Sequence, residues 1–349
     1  MNNLYSKMYY NSITDILFHL LRLGLGTEGY SDFPDLMDEQ WREIIRLGKN
    51  QSLTGFLVSG IEKLPAEKRP QRMILLPLLK QCLDIEEMNR RLNIATAMAY
   101  KQYAESGYAP MVMKGQGNCL MYENGMRRMP GDIDLWLRKT CMEDSMEKHG
   151  KEYLENGIIV ELHRSLSFIY NPLLNRKLRK LYNEWKGSGK MVLLPDTNTQ
   201  ICVPSDEMNS VYLLLHKYRH FLTKGIGMKQ VVDYMMLLRK GFTDEEKEKC
   251  VRTLGSLHLT GFCRAVMYVL KEKLGLEDRY LLMEPDAKLG KFLFNEIMAT
   301  GNFGFHDSRY DDSKSFMDKY RIKRKFFMIW RFPYDLMWYP YWKIEKLLK

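Results

Sequence analysis

Two aspartates, two positions apart in the segment Gly131-Asp132-Ile133-Asp134-Leu135-Trp136-Leu137, have a type and spacing that suggest chemistry. The apolar residues around them predict a β-strand, and residues i and i+2 of a strand point to the same face. Asp132 and Asp134 would lie side by side, and each carboxylate would raise the pKa of the other unless a cation neutralises them. Mg²⁺, which prefers oxygen ligands, is the cation that this pattern favours. The alternative is an exposed strand end or turn that binds no ion.

A third carboxylate, Glu161, lies between apolar residues, 27 positions after Asp134. That spacing fits a strand, a crossing helix and a return strand, so Glu161 would join the aspartates if the two strands are neighbours. Three acids can hold two divalent ions about 3.5–4 Å apart, one activating an attacking oxygen and one bridging triphosphate oxygens. A half-exposed strand acid with no ligand is the alternative. His163, on the same face, would orient a substrate or a metal-bound water, or have a structural role only.

Positive charge for phosphate groups is predicted upstream, where a strand ends at Lys114 and Gly115 and a helix begins. Such a junction suits anions. The sequence has no P-loop, and Leu120 occupies the third glycine position of a dinucleotide-binding fingerprint. Arg127 and Arg128, just before the aspartates, would reach the same phosphates or lie on a solvated turn.

Three motifs, in register over residues 105–240, resemble the uncharacterised nucleotidyltransferase family, a branch of the DNA polymerase beta-like superfamily. They are Lys114-Gly115 with Tyr122 and Arg128-Met129-Pro130-Gly131-Asp132-Ile133-Asp134-Leu135, then Val160-Glu161-Leu162-His163, then His216, His220-Phe221 and Gly225-Ile226-Gly227-Met228-Lys229-Gln230-Val231-Val232-Asp233. The resemblance implies a nucleotidyltransferase palm that uses Mg²⁺ and a nucleoside triphosphate, with ATP as the expected donor. It also implies that Asp132, Asp134 and Glu161 are the metal ligands and catalytic residues.

The resemblance further implies that the helix with His216 and His220 lines the cleft beside the palm, together with Lys229 and Asp233 on the next helix. With Lys114, Gly115, Arg128 and His163, Lys229 completes the predicted nucleotide-binding set. The histidines, four positions apart, would share a helix face as packed side chains or, as an alternative, as zinc ligands. The wider superfamily carries Gly-Ser where the triphosphate enters, whereas this chain has Lys114-Gly115-Gln116.

The residues around these motifs predict an α+β protein, with a small mixed-sheet nucleotidyltransferase palm flanked by N-terminal and C-terminal helical regions. Helical periodicity covers residues 1–107 and 205–317, and short apolar runs alternate with helical stretches over 108–204. The predicted strands are Pro110–Met113, Ile133–Leu137, Ile158–Leu162, Met191–Leu194 and Gln200–Val203, with helices near Asn118–Glu123 and Met142–Glu155. After Ser205, helices are predicted over Met208–Phe221 and Met228–Arg239.

Residues 318–349 form a basic aromatic tail. The chain has 349 residues and a net charge of +10, and the tail holds nine Lys or Arg against three acids. Tryptophan and tyrosine with interspersed lysine are typical of membrane surfaces, and aromatic residues with bases also stack on nucleic acid. The tail aromatics would otherwise cover the protein's own core.

Export and membrane-span signals are weak in this sequence. The first 21 residues have no uninterrupted apolar core, no apolar run approaches about 20 residues, and the six cysteines form no C-x-x-C pair. A cytoplasmic location with reduced thiols is therefore expected. The functional hypotheses are a nucleotidyltransferase acting on an acceptor hydroxyl, a catalytically inactive nucleotide-binding or scaffolding protein, and a peripheral membrane adaptor acting through the tail.

Overall fold

The chain has an α+β fold in which many helices surround two small sheets, as the sequence predicts. The structure is a computed structural model and describes residues 12–30, 32–139, 150–153, 157–163, 166–307 and 316–347. The helices are α1 Ile13–Leu25, α2 Asp38–Asn50, α3 Thr54–Glu62, α4 Arg72–Glu105, α5 Gln116–Cys119, α6 Pro172–Trp185, α7 Asp206–Thr223, α8 Met228–Leu238, α9 Asp244–Ser256, α10 Thr260–Glu272, α11 Ala287–Thr300, α12 Phe316–Ile329, α13 Pro333–Leu336 and α14 Tyr339–Leu347.

The larger sheet has four strands in the order β1-β2-β4-β3. Its strands are β1 Tyr108–Val112, β2 Ile133–Lys139, β3 Gly150–Tyr153 and β4 Ile159–His163. A second, two-stranded sheet contains β5 Gly189–Leu193 and β6 Gln200–Pro204. The central pair, β2 and β4, is parallel, whereas β1 and β3 run antiparallel to their neighbours. The last two strands form a separate antiparallel hairpin. The predicted small mixed sheet is thus confirmed, with β2 and β4 as neighbours.

The predicted helix near Met142–Glu155 is wrong where the structure describes it. Gly150–Tyr153 is the edge strand β3, which pairs antiparallel with β4, while residues 142–149 and 154–155 lie outside the described residues. The exposed edge of β4 supplies unpaired backbone groups, and satisfying them outweighs a local helical preference. The helix predicted near Asn118–Glu123 is also short, ending at Cys119, and the sequence did not predict α6.

The two faces of the larger sheet meet different surroundings. Ile133, Leu135 and Val160 pack on one face, in a buried cluster with Leu92 and Ala95 of the long helix α4. Alternating residues point to the other face, where Trp136 joins the larger core that includes α1, α7 and α8. Because the side chains of a strand alternate, the acids of β2 and β4 lie on this second face.

The helices that face the acids begin and end near the predicted positions. Ser205 caps α7, its hydroxyl accepting a hydrogen bond from the backbone N–H of Met208. The segment Gly225-Ile226-Gly227 separates α7 from α8, with Gly225 at a φ of +94°. Among the described helices, none combines the length and apolarity needed to cross a lipid bilayer.

Candidate active site

Asp134 of β2 and Glu161 of β4 lie directly opposite each other in the parallel register. Trp136 and His163 form the pair two positions further along these strands, so His163 lies on the same face as both acids. Asp134 is only 1% exposed, whereas Glu161 and His163 are half-buried. The predicted convergence of carboxylates from two neighbouring strands is therefore present for Asp134 and Glu161.

Two nitrogen atoms lie against one oxygen of Asp134. The Lys114 Nζ is 2.8 Å from Oδ1, and the His163 Nε2 is 2.6 Å from the same atom. Burial alone would raise the pKa of Asp134, but the charge of Lys114 and the hydrogen bond from His163 outweigh it and hold the pKa at about 2. Burial would in turn lower the pKa of Lys114, yet the charge of Asp134 raises it overall. Asp134 is thus an ionised, buried carboxylate.

A group of possible metal ligands includes His163 and not Asp132. One oxygen each from Asp134 and Glu161 and one ring nitrogen of His163 lie within 4.8 Å of one another. Asp132 precedes β2 and is half-buried, and burial together with the charges of Asp134 and Glu161 raises its pKa. The negative charges of Asp134 and Glu161 therefore act on Asp132, although Asp132 is not one of the three residues whose ligand atoms lie within 4.8 Å of one another. The sequence placed His163 on this face but did not predict it as a ligand.

The backbone around Gly115 fixes the position of Asp132. Gly115 has a φ of +50° and a ψ of −114°, and a Cβ atom there would lie 2.7 Å from the carbonyl oxygen of Asp132. Glycine alone adopts this conformation without strain. The Lys114-Gly115 turn and the start of β2 are consequently in van der Waals contact.

Replacing Gly115 with alanine should destabilise the protein and displace Asp132. The left-handed φ costs about 1–2 kcal/mol for a residue with a Cβ, and the contact with the Asp132 backbone adds to this. Gly131→Ala is the matched control, because a Cβ at Gly131 meets nothing within 4 Å. Thermal unfolding should give a lower Tm for Gly115→Ala only; equal Tm values for the two variants would contradict the packing described here.

Arg128 lies at the edge of the cleft but is bound to Asp233 of α8. Its Nε and a terminal nitrogen donate to the two oxygens of Asp233 over 2.7 and 2.8 Å. The hydroxyl of Tyr122 and the amide of Asn118 also donate to Asp233. Burial would raise the pKa of Asp233, but Arg128 holds it at about 2. Arg128 thus joins the palm to α8, and its predicted contact with nucleotide stays a prediction.

Two buried lysines, Lys217 and Lys229, line the same cleft as Lys114, Asp132 and Asp134. Lys229 donates to the Met129 carbonyl over 3.3 Å, and burial lowers its pKa to about 8. Lys217 donates to the carbonyl one turn earlier in α7, and burial lowers its pKa to about 7. The sequence predicts Lys229 at the cleft but not Lys217, because a lysine within a helix gives no sign of which way it faces.

Lys217 should make the stability of the protein depend on pH. Between its folded pKa of about 7 and its ordinary value of 10.5, the unfolded chain binds a proton that the folded chain does not. The free energy of unfolding should therefore rise with pH across this window, by about 1.4 kcal/mol per pH unit. Urea denaturation at neutral and mildly alkaline pH should show a smaller rise for Lys217→Met. Identical slopes for the variant and the natural protein would refute this assignment.

The histidines of α7 are packed together beside Lys114. The rings of His216 and His220 are 4.4 Å apart, and the His216 Nε2 is 3.4 Å from the Lys114 Nζ. Burial lowers the pKa of both rings, to about 3 for His220. Neither belongs to the ligand group formed by the described residues, which favours packing over zinc binding.

Arg127 is paired with Glu62 and Glu86 on other helices.

Comparisons with known proteins agree with the motifs. The sequence model of a family described as "Uncharacterised nucleotidyltransferase" matches residues 37–275. Among solved structures, the chain is similar to an antigenic nucleotidyltransferase-like protein from Paracoccidioides brasiliensis, at 12% identity and a TM-score of 0.36. That alignment covers 57% of this chain and 95% of the other, and a likeness this slight supports no argument. No curated protein matches the chain.

Proposed function

Since the chain belongs to the uncharacterised nucleotidyltransferase family, we propose that it transfers an NMP group from a nucleoside triphosphate to an acceptor hydroxyl in a Mg²⁺-dependent reaction. The observation that carries this proposal is the pairing of Asp134 with Glu161 on parallel neighbouring strands. Asp134 and Asp132 line a cleft that is also lined by three lysines, Lys114, Lys217 and Lys229. ATP is the proposed donor.

The residues of the site fit a divalent cation. Asp134 is ionised and buried, Glu161 is its register partner, and the pKa of Asp132 is raised by burial and by both neighbouring negative charges. Carboxylate oxygens are the ligands that Mg²⁺ prefers. We therefore propose that Asp134 and Glu161 would hold the metal, with Asp132, which lies outside their tight group of ligand atoms, as the third carboxylate. A bound ion would supply Lewis-acid stabilisation of phosphate oxygens and lower the pKa of an attacking hydroxyl.

The basic residues of the cleft would bind and orient the triphosphate. Lys114, Lys217 and Lys229 all line the cleft, and Arg128 lies beside them. During nucleotidyl transfer, negative charge builds up on the pyrophosphate as it leaves the triphosphate. Fixed positive groups beside the pyrophosphate therefore stabilise the transition state. Lys217 and Lys229 have lowered pKa values because they are buried, and a nearby polyanion would favour their protonated forms.

His163 would act through Asp134. Its Nε2 lies 2.6 Å from Oδ1 of Asp134 and 3.8 Å from Oε2 of Glu161. A hydrogen bond at this position fixes the orientation of the carboxylate, which is the part that residues behind a metal ligand commonly play. We therefore place His163 as a positioning residue for the two acids.

The proposed activity is tested by following pyrophosphate release and transfer of a labelled nucleotide in the presence of Mg²⁺. The expected result is that pyrophosphate is released only when Mg²⁺, an NTP and a mixture of molecules with acceptor hydroxyls are all present. A second candidate, an inactive nucleotide-binding protein, is favoured by the ion pair between Lys114 and Asp134, which already neutralises the acid. Calorimetry distinguishes the two, because binding of ATP and Mg²⁺ without any pyrophosphate release would support the second candidate. A cytoplasmic location stays a prediction from the sequence.

A further inference from the structure

The last three helices, α12 to α14, turn large apolar side chains outward. Trp330 is 88% exposed, the largest exposed fraction among the big apolar side chains of the described residues. We call the following set the tail face: Phe326, Trp330, Tyr334, Met337, Tyr341 and Ile344. Each of these side chains is at least half exposed. A concentration of exposed large apolar side chains in one short segment of a globular protein usually marks an interaction site.

Helix α12 carries large apolar side chains on its outer side as well as on its inner side, where Met328 is buried in the core. Ile322, Phe326 and Trp330 recur at steps of four, which places them on one side, and all three are exposed. On the opposite side Arg324 is 2% exposed, pairs with Glu296 over 3.0 Å and donates to a backbone carbonyl of α7. The helix is therefore anchored by a buried ion pair and by Met328, while further large apolar side chains face outward.

Basic side chains border the tail face, whereas an acidic one turns inward. Lys323 and Lys343 are exposed, and Arg331 is exposed next to Trp330. Asp335 is 3% exposed, and its carboxylate accepts hydrogen bonds from the backbone N–H groups of Tyr170 and Asn171. The tail face is consequently apolar in composition, and at its border the basic side chains outnumber the half-buried Glu345.

We propose that the tail face docks the protein on the surface of a membrane that contains anionic lipids. Tryptophan and tyrosine prefer the boundary between headgroups and acyl chains, and nearby lysine and arginine are attracted to anionic headgroups. Since none of the described helices is able to cross a bilayer, the contact would be peripheral.

Two other occupants fit the tail face less well. In a two-fold dimer the same patch meets itself, so Lys323 and Lys343 would approach identical charges. Nucleic acid bases stack on aromatic rings, but Met337 and Ile344 offer no ring to a base. Acyl chains accept both kinds of side chain. The combined charge and composition therefore favour a lipid surface.

Co-sedimentation of the full-length protein with lipid vesicles tests the proposal. Vesicles of equal parts phosphatidylcholine and phosphatidylglycerol should bind the protein at low ionic strength, and vesicles of phosphatidylcholine alone should bind it far less. The Phe326→Ser/Trp330→Ser variant should lose about tenfold or more in vesicle affinity. Added salt should weaken binding of the natural protein, because it screens the attraction.

The matched control replaces two exposed apolar residues of α4, Met73 and Leu76, with serine. This control should bind vesicles like the natural protein, and circular dichroism should show that both variants are folded. Three results would overturn the proposal: no binding to anionic vesicles, equal loss in the control, or full binding by the tail variant. A concentration-dependent dimer that only the Phe326→Ser/Trp330→Ser change dissociates would also overturn it and assign the tail face to self-association.

Discussion

Asp134→Asn should lower the rate of nucleotidyl transfer by about a thousandfold or more. The amide would keep the size of the side chain but would lose the negative charge that lies between Lys114 and His163. Loss of a metal ligand removes several kcal/mol of transition-state stabilisation, and each factor of ten in rate corresponds to about 1.4 kcal/mol. Pyrophosphate release at saturating ATP and Mg²⁺ is the measurement.

The control for this prediction is Asp35→Asn, whose carboxylate is 88% exposed in a loop before α2. It should leave the rate unchanged. Because removing a buried charge leaves Lys114 without its partner, Asp134→Asn also weakens folding, so Glu161→Gln supplies a second test at a half-buried position. Full activity in both Asp134→Asn and Glu161→Gln would eliminate the proposed metal-binding role of the acids.

Asp233→Asn should be among the most destabilising single substitutions in the chain. Asp233 is 3% exposed and neutralises Arg128, which is 4% exposed. Breaking a buried ion pair by removing one partner costs about 3–5 kcal/mol, because the remaining charge stays buried without compensation. Urea denaturation should therefore show a fall of this size in the free energy of unfolding.

Two comparisons sharpen this test. Glu43→Gln breaks an exposed pair with Arg46 and should change the free energy of unfolding by less than about 1 kcal/mol. The double variant Arg128→Met/Asp233→Asn should recover part of the stability lost in Asp233→Asn, because no buried charge is then left unpaired. If Asp233→Asn is as stable as Glu43→Gln, the ion pair does not join the palm to α8 as described.

The strand and the face of each paired carboxylate could be predicted from the sequence because both depend on local alternation. Apolar residues flank Asp134 and Glu161 in short segments, and period-two patterning decides both the strand and the face of each acid. The parallel register then brings the two acids together. The part of the site with a local, repeating signal was therefore predictable.

The partners of the basic residues could not be predicted in the same way. Arg128 bonds to Asp233, 105 positions later in the chain, and Lys114 bonds to Asp134 on another element. The first pairing depends on how α8 packs against the sheet and the second on how β1 pairs with β2, and no local pattern specifies either. The burial of Lys217 could not be predicted from the sequence either, because it follows from the packing of α7.

The strand β3 is a segment whose local pattern predicts the wrong secondary structure. The surroundings of Gly150–Tyr153 in the sequence predict a helix, but the segment pairs with the edge of β4. Pairing of this kind is a tertiary effect, and it readily reverses weak preferences in a short segment. Its consequence for the site is that Glu161 lies on an inner strand with neighbours on both sides.

Binding of Mn²⁺ measured by electron paramagnetic resonance tests most directly whether the acids of β2 and β4 hold a divalent cation. Mn²⁺ accepts the same oxygen ligands as Mg²⁺ and loses its free-ion signal when bound. The natural protein should bind the ion, Glu161→Gln should bind it more weakly, and Asp134→Asn/Glu161→Gln should leave the free-ion signal unchanged. Binding by that double variant as tight as by the natural protein would contradict the assignment of these carboxylates.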